Sequence, residues 1–188
     1  SHRVLGVWYA EGTNVAKDDK KAIEHFLYAA RKGDVPAQFN AGLFFYQGRD
    51  VPQDLSEAFR WAHRAALSGH APAQHMIGSM YANGDGVERN MAQAFEWLHK
   101  AALQGNVEAQ LTVGKLCYNG NGTRKDLTQA LSWFGKAALQ RNAKAQYFLG
   151  GILLLGNEAS KDLIAAYKWL TLAGDSGYPQ AKDAQAAV

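Results

Sequence analysis

The stretch AQHMIGSMYANGDGVERNMAQAFEWLHKAALQGNVE, from Ala73 to Glu108, decides the fold, because its landmarks recur before and after it every 36 residues. A fixed period between about 20 and 50 residues is the signature of a stacked-repeat architecture. The register continues without insertion or deletion in three columns: Gly6, Gly42, Gly78, Gly114, Gly150; Gly12, Gly48, Gly84, Gly120, Gly156; and Asp18, Asp54, Asn90, Asp126, Asp162.

The first half of each unit predicts a helix. In the second unit, small or apolar residues at Ala37, Ala41, Gly42 and Phe45 have the spacing of one helical face. Gly48 is expected to end this helix, since glycine enters the left-handed conformation at a helix C-terminus without a side-chain penalty.

The second half of each unit predicts another helix, which begins at the Asp54 column. A side-chain oxygen at this position accepts a hydrogen bond from an amide of the first turn, which is typically worth ~1 kcal/mol. Three residues later stand Glu57, Gln93 and Gln129, which predict a capping box. Gly69 ends the helix, as do Gly33, Gly105 and Gly177 in their units, and Arg141 replaces this glycine in the fourth unit.

The small residues predict how the helices pack. Gly42 lies in the middle of a helix, where glycine costs ~1 kcal/mol relative to alanine. Its recurrence in five units indicates a close approach between neighbouring helices. A column of four tryptophans supplies the bulk for which such small residues leave room: Trp61, Trp97, Trp133 and Trp169.

These motifs resemble the Sel-one-like repeat family, relatives of the tetratricopeptide repeat. The resemblance is carried by A-Q-x-x-[LIVA]-G-x-x-[YF]-x-x-G, as in Ala73 to Gly84, and by D-x-x-x-A-x-x-W-x-x-x-A-A-x-x-G, as in Asn90 to Gly105. It covers essentially the whole chain and departs locally at His25, Arg141 and 171–174. It implies an all-α, right-handed α/α superhelical solenoid.

We predict a single solenoid domain over residues 1–188, with units at 1–34, 35–70, 71–106, 107–142 and 143–177 and a capping helix in 178–188. The first five residues align with the inside of a first helix, and Ser1-His2 is typical of a cleaved purification tag. We therefore expect the natural protein to be longer.

Composition narrows the function classes. The 20 lysines and arginines against 17 acids give a net charge of +3 without a basic run, so no nucleic-acid surface is expected. No apolar run approaches the ~20 residues of a membrane helix. We expect a soluble chain of the bacterial cytoplasm or periplasm, with any targeting signal ahead of residue 1. The single cysteine, Cys117, is interpreted as a small buried apolar residue.

The sequence predicts no catalytic, cofactor or metal site. His63 and His99 share a column but lack a third ligand, which favours a solvated helical face over zinc. No serine lies in a nucleophile elbow. The glycine-rich turns at 84–86 and 120–122 lack the lysine and hydroxyl residue of a phosphate loop.

The first helices leave a second stripe away from their packing side, at positions 36, 39, 40, 43, 46 and 47 and their copies. Its residues vary between units and are rich in apolar side chains, which is typical of an interaction surface. The apolar members are Phe39, Leu43, Tyr46, Leu111, Tyr118, Tyr147, Phe148, Leu154 and Leu155. An alternative is that part of this set packs against the adjacent first helix.

The resemblance implies a non-enzymatic scaffold or adaptor, in which the first helices line a concave groove that binds a protein or peptide. In bacteria it implies regulatory, secretion-associated or toxin-neutralising complexes. The candidate partner-binding residues are Phe39, Leu43, Tyr46, Gln47, His75, Ser79, Asn83, Lys115, Tyr118, Asn119 and Tyr147. Two alternatives remain: a cell-wall or β-lactam hydrolase, which the single cysteine disfavours by comparison with cysteine-rich family members, and a structural spacer.

Overall fold

The computed structural model describes residues 1–156 and 162–186, and these form eleven helices and no strand. The helices group into two compact units, Ser1–Gln104 and Gly105–Val188, which are described in turn. The predicted all-α class is confirmed, whereas the prediction of one continuous domain stays a prediction.

The first unit contains three helix pairs in which each helix packs against the next along the chain. The first helix has 10 residues and the following five have 13 each. The helices are α1 (His2–Glu11), α2 (Asp19–Arg31), α3 (Val35–Gln47), α4 (Leu55–Leu67), α5 (Ala71–Asn83) and α6 (Met91–Leu103).

The second unit contains two helix pairs and a short final helix. They are α7 (Val107–Asn119), α8 (Leu127–Leu139), α9 (Ala143–Leu155), α10 (Leu163–Asp175) and α11 (Pro179–Gln185). Helix α11 packs against both α9 and α10, so the predicted C-terminal helix is present. Residues 187–188 of the predicted cap lie outside the described residues.

The second helix of every pair begins at the predicted side-chain cap. Asp54 Oδ1, for example, accepts from the amide of Glu57 at 2.9 Å. The same type of bond is made at the other positions of the column: Asp18, Asn90, Asp126 and Asp162.

The predicted capping box is wrong, because the amide of the capping residue is already used. The Asp54 amide donates to the Phe45 carbonyl at 3.0 Å, and the Asn90 amide to Tyr81 at 2.9 Å. The equivalent bond recurs in the other pairs and joins the second helix to a carbonyl nine residues earlier in the first helix. These backbone bonds leave no donor for Glu57, Gln93 or Gln129 to accept from.

Glycine ends the first helix of four pairs as predicted. Gly12, Gly48, Gly84 and Gly120 lie in the left-handed region with φ of 74°, 67°, 84° and 77°. The same expectation for Gly156 is wrong, since this residue is extended, with φ of −60° and ψ of 160°, and needs no glycine-specific conformation.

The glycine column in the middle of the first helices marks the predicted close approach. A Cβ atom on Gly78 would lie 2.6 Å from Leu98 Cγ, and one on Gly114 would lie 2.7 Å from Phe134 Cε1. The second helix therefore occupies the space that a side chain would need. Alanines on the facing helix, such as Ala94 and Ala130, are fully buried.

Buried glutamines connect three helices at a time. The Gln74 Nε2 atom donates to the Ala66 carbonyl at the end of α4 at 3.2 Å, and its Oε1 accepts from Gln104 at the end of α6 at 2.7 Å. In the second unit, Gln140 donates to Gln110 Oε1 at 2.8 Å.

The glutamines recur every 36 residues, and in two of them the side-chain oxygen lacks the hydrogen bond that Gln74 Oε1 accepts. The buried oxygens Gln38 Oε1 and Gln146 Oε1 have no hydrogen-bond donor in the described part of the chain. The donor would come from the repeat position that Gln104 and Gln140 occupy, and in the repeats of Gln38 and Gln146 this position holds Ser68 and Ser176. The serine side chain is too short to reach the glutamine.

We predict that Gly150→Ala and Gly151→Ala, two neighbouring changes in α9, have opposite effects on stability. A Cβ on Gly150 would meet Leu170 Cγ at 2.8 Å, whereas one on Gly151 meets nothing within 4 Å. Gly150→Ala should destabilise the fold by about 1–3 kcal/mol through overpacking. Gly151→Ala should stabilise it by about 0.5–1 kcal/mol through helix propensity. Urea denaturation followed by circular dichroism measures both, and equal shifts would contradict the close approach.

We predict that Ser68→Gln stabilises the fold by about 0.5–1.5 kcal/mol, the usual contribution of one hydrogen bond, because it supplies a donor to Gln38 Oε1. The backbone already matches, since Ser68 (φ −81°, ψ 10°) and Gln104 (φ −82°, ψ 5°) have the same conformation. The control is Gln104→Ser, which should destabilise by leaving Gln74 Oε1 without its donor. Thermal denaturation measures the Tm of both variants. An unchanged Tm in both would refute a stabilising role for this hydrogen bond.

Candidate functional site

The predicted stripe of the first unit is only partly exposed. Phe39, Leu43 and Tyr46 of α3 are half-buried and pack against a core cluster that includes Ile77 and Trp97. The alternative that part of the apolar set serves packing therefore applies to these three residues. Each still presents an edge to solvent.

Two predicted site residues of the first unit meet at an acid that the sequence analysis missed. The Tyr46 hydroxyl donates to Asp85 Oδ2 at 2.9 Å, and Asn83 Nδ2 donates to the same oxygen at 3.1 Å. The hydrogen bond from Tyr46 to Asp85, together with burial and the negative charge of Asp85, raises the pKa of Tyr46. The signal in the sequence was the acid in the glycine-rich turn directly after α5.

The remaining predicted residues of the first unit are more widely spread. Gln47 and Asn83 are exposed, and His75 and Ser79 are half-buried on α5. Leu43 and Gln47 also line a pocket of about 210 Å³ between α1 and α3. The Arg49 guanidinium in its wall binds Asp19 at 2.6 Å.

The stripe of the second unit differs from the prediction at one position. Leu111 is only 3% exposed, so its assignment to the exposed stripe is wrong. Its side chain belongs to the buried residues of α7, as do those of Val113 and Leu116. Lys115, Tyr147, Phe148 and Leu154 are half-exposed, whereas Tyr118 and Asn119 are exposed.

An apolar pocket of about 390 Å³ lies between α7, the start of α8, and α9. Its lining includes two of the predicted residues, Tyr118 and Tyr147. The other large lining side chains are Leu127, Phe148, Ile152 and Leu155. At its edge Leu155 is 85% exposed, and Tyr118 is 43% exposed. The structure thus brings Tyr118 and Tyr147 together around one opening.

Two lysines lie against the aromatic walls of this pocket. Lys115 Nζ is 4.9 Å from the centroid of the Phe148 ring, and Lys125 Nζ is 5.8 Å from that of Tyr118. Burial lowers the pKa of Lys115, and nearby Lys144 adds to this effect, while Glu108 opposes it. Neither lysine forms a salt bridge with a described carboxylate.

The histidine column does not form a simple solvated face. His63 stacks on Phe59 with 5.4 Å between ring centroids, and His99 stacks on Phe95 at 5.6 Å. Burial lowers the pKa of His63. Within residues 1–156 and 162–186, no three or more histidine, cysteine, aspartate or glutamate side chains come together as metal ligands.

Cys117 is buried as predicted. Burial raises the pKa of its thiol, and the charge of Asp126 raises it further. The thiol is therefore protonated near neutral pH. Among the described helices, none has the length and apolar character needed to cross a membrane.

The helix pairs, their 36-residue period and their glycine contacts define the class of α-solenoid repeat proteins. The Sel1 repeat matches the chain in five consecutive copies, at residues 1–34, 35–70, 71–106, 107–142 and 143–178. The chain therefore belongs to the Sel1 repeat family.

Solved structures support this assignment. A Sel1 repeat protein from Oxalobacter formigenes is 32% identical, with a TM-score of 0.87 over 96% of this chain and 74% of that one. The protective antigen c5321 of uropathogenic Escherichia coli is 29% identical, with a TM-score of 0.60 over 99% of this chain and 48% of that one. Immunity protein Pa5087 from Pseudomonas aeruginosa shares the fold. It is 23% identical, with a TM-score of 0.58 over 93% of this chain and 67% of that one.

No curated protein shows significant sequence similarity to the chain. Sel1 repeats are in general non-enzymatic scaffolds for protein–protein interaction. The predicted family and fold class are thus confirmed.

We predict that Asp85→Asn lowers the pKa of Tyr46 toward its ordinary value, because the charged acceptor is lost. The raised pKa means that the fold favours the protonated phenol. This contribution to stability is complete below pH ~10 and is lost as the pH rises through the folded-state pKa. NMR titration of tyrosine labelled with ¹³C at Cζ measures the shift, with Tyr46→Phe identifying the signal.

The matched control is Asn83→Ala, which removes the other donor to Asp85 and should leave the pKa of Tyr46 raised. An unchanged Tyr46 titration in Asp85→Asn would show that this hydrogen bond is absent in solution.

Proposed function

We propose that this chain is a non-enzymatic scaffold that binds a protein or peptide partner on the surface formed by the first helices of its repeats. The observation that supports it most is the apolar pocket between α7 and α9, which contains the predicted residues Tyr118 and Tyr147. Aromatic side chains that combine an apolar ring with a polar group are frequent anchors in protein interfaces.

The first unit supports the same proposal through polar groups. Asp85 holds both Tyr46 and Asn83, which fixes a hydroxyl and an amide at the end of α5. Such fixed groups lose little conformational entropy when they bind a partner.

A competing surface lies on the second helices. Leu67, Leu103 and Leu139 share one column and are each about two-thirds exposed or more, at 67%, 64% and 76%. A basic residue stands three positions before each leucine, at Arg64, Lys100 and Lys136, and single exposed apolar residues are ordinary on protein surfaces. We therefore favour the first helices.

Chemistry at the thiol is disfavoured, since Cys117 is buried and its pKa is raised. The similarity to repeat proteins of Oxalobacter formigenes and Escherichia coli suits a bacterial complex. We propose that this complex is regulatory, secretion-associated or toxin-neutralising, with a protein rather than a nucleic acid as the partner.

The experiment is affinity capture from a native lysate with the immobilised full chain and two variants. One variant carries Tyr46→Ala and Asn83→Ala, and the other carries Tyr118→Ala and Asn119→Ala. Loss of an interface tyrosine commonly costs about 2 kcal/mol or more, so at least one variant should retain the partner more than ~10-fold less. Quantitative mass spectrometry of the retained proteins measures this.

The control variant carries Leu67→Ser and Leu103→Ser on the second helices, and circular dichroism verifies the helicity of all variants. The control should retain the partner. The first helices are not the binding surface if both tyrosine variants retain every captured protein as well as the wild type does. The same conclusion holds if only the leucine variant loses a captured protein.

A further inference from the structure

The pocket between α7 and α9 is open because one position lacks a side chain. Gly151 lies in the same repeat column as Leu43, Ser79 and Lys115 and lines the pocket. A Cβ atom there would meet nothing within 4 Å, in contrast to the neighbouring Gly150, whose Cβ would contact Leu170. The absence of a side chain at 151 thus serves no helix packing and leaves space against the rings of Tyr147 and Phe148.

Among the described residues, the charged groups that lie over the aromatic walls of this pocket are two lysines, and Glu108 lies near one of them, Lys115. Lys115 lies over the Phe148 ring and Lys125 over the Tyr118 ring, so a cation stands at each of two aromatic walls. The lining residues that the structure describes include no carboxylate. Lys115 is partly desolvated and lies near Lys144, so an anion brought to this place would relieve an unfavourable environment.

An apolar cavity beside two ammonium groups that form no salt bridge with a described carboxylate selects a ligand that combines an apolar body with negative charge. Burial of apolar surface supplies the affinity, and carboxylates at the right distance supply specificity and a faster encounter. The exposed edge formed by Leu155 and Tyr118 extends the apolar surface beyond the pocket, which suits a chain segment rather than a compact small molecule.

We propose that this pocket binds a large apolar side chain from an acidic segment of a partner protein, while neighbouring carboxylates of that segment pair with Lys115 and Lys125. The inference rests on the proposed scaffold function and names the chemistry of the partner. Gly151 acts as the specificity-determining position, because a side chain there would fill the space that the partner's residue takes.

The test uses fluorescein-labelled 12-residue peptides and fluorescence anisotropy with the full chain. The first peptide has one phenylalanine with three glutamates on each side in a glycine-serine background. The second replaces every glutamate by glutamine, and the third replaces the phenylalanine by alanine. The protein variants are Gly151→Leu, which plugs the pocket, and Gly135→Leu as a matched control.

Gly135 suits the control because it also lies within a helix, its Cβ would meet nothing within 4 Å, and it does not line the pocket. Both leucine variants should fold, since leucine favours helix over glycine, and thermal denaturation confirms this.

The wild type should bind the glutamate–phenylalanine peptide, with a Kd that rises with added salt. The alanine peptide should bind at least ~10-fold more weakly, the loss expected when an aromatic side chain is no longer buried. Gly151→Leu should weaken the first peptide by a similar factor, and Gly135→Leu should leave it unchanged. Lys115→Gln with Lys125→Gln should remove the preference for glutamate over glutamine.

The inference is overturned if the first peptide does not bind, if Gly151→Leu binds it as the wild type does, or if the glutamine peptide binds equally well. Lysate capture distinguishes failure of the pocket proposal from failure of the proposed scaffold function. A partner lost by an alanine variant of the first helices but retained by Gly151→Leu leaves the scaffold in place and removes the pocket. If neither alanine variant loses a captured protein, the scaffold proposal itself fails.

Discussion

The structure of each repeat depends on the close contact between a glycine in the first helix and the backbone and side chains of the second. At Gly78 a Cβ would lie 3.1 Å from the Ala94 carbonyl oxygen as well as 2.6 Å from Leu98 Cγ. Two helices that approach this closely bury alanines as effectively as larger residues, which explains a core rich in alanine. The glycine weakens its own helix by about 1 kcal/mol, and packing offsets this loss.

The turn inside each pair preserves this contact. The amide of the capping residue donates to the carbonyl nine residues earlier, and the side chain of the same residue caps the next helix. One residue therefore hydrogen-bonds both to the preceding helix, through its amide, and to the following helix, through its side chain. The other positions of the first helices vary between repeats. They contribute Tyr46 and Asn83 to the cluster with Asp85, and Tyr118 and Tyr147 to the pocket of the second unit.

The fold could be predicted from the sequence because residue types that recur in five repeats indicate a structural requirement at their positions. The side-chain caps of the second helices, the left-handed glycines at the ends of four first helices and the close approach follow from columns of repeated residue types. The capping box was mispredicted because its amide is used by a carbonyl that only the turn conformation brings near. Positions without a repeated identity were harder: the burial of Leu111, the role of Asp85 and the cavity at Gly151 depend on neighbours in space. Tyr118 and Tyr147 were predicted as candidates from their aromatic character on the second stripe of the first helices, and both line the pocket.

The buried glutamines have a consequence for how the protein opens. Gln74 forms one hydrogen bond with the end of α4 and another with Gln104 at the end of α6, so fraying of either helix end breaks a bond to the same side chain. We therefore expect local unfolding of these neighbouring helix ends to be coupled, so that their amides exchange as one cooperative unit. At Gln38 and Gln146 the link to the following helix is missing. We therefore expect exchange protection to change at these two positions, where the donor column holds serine instead of glutamine.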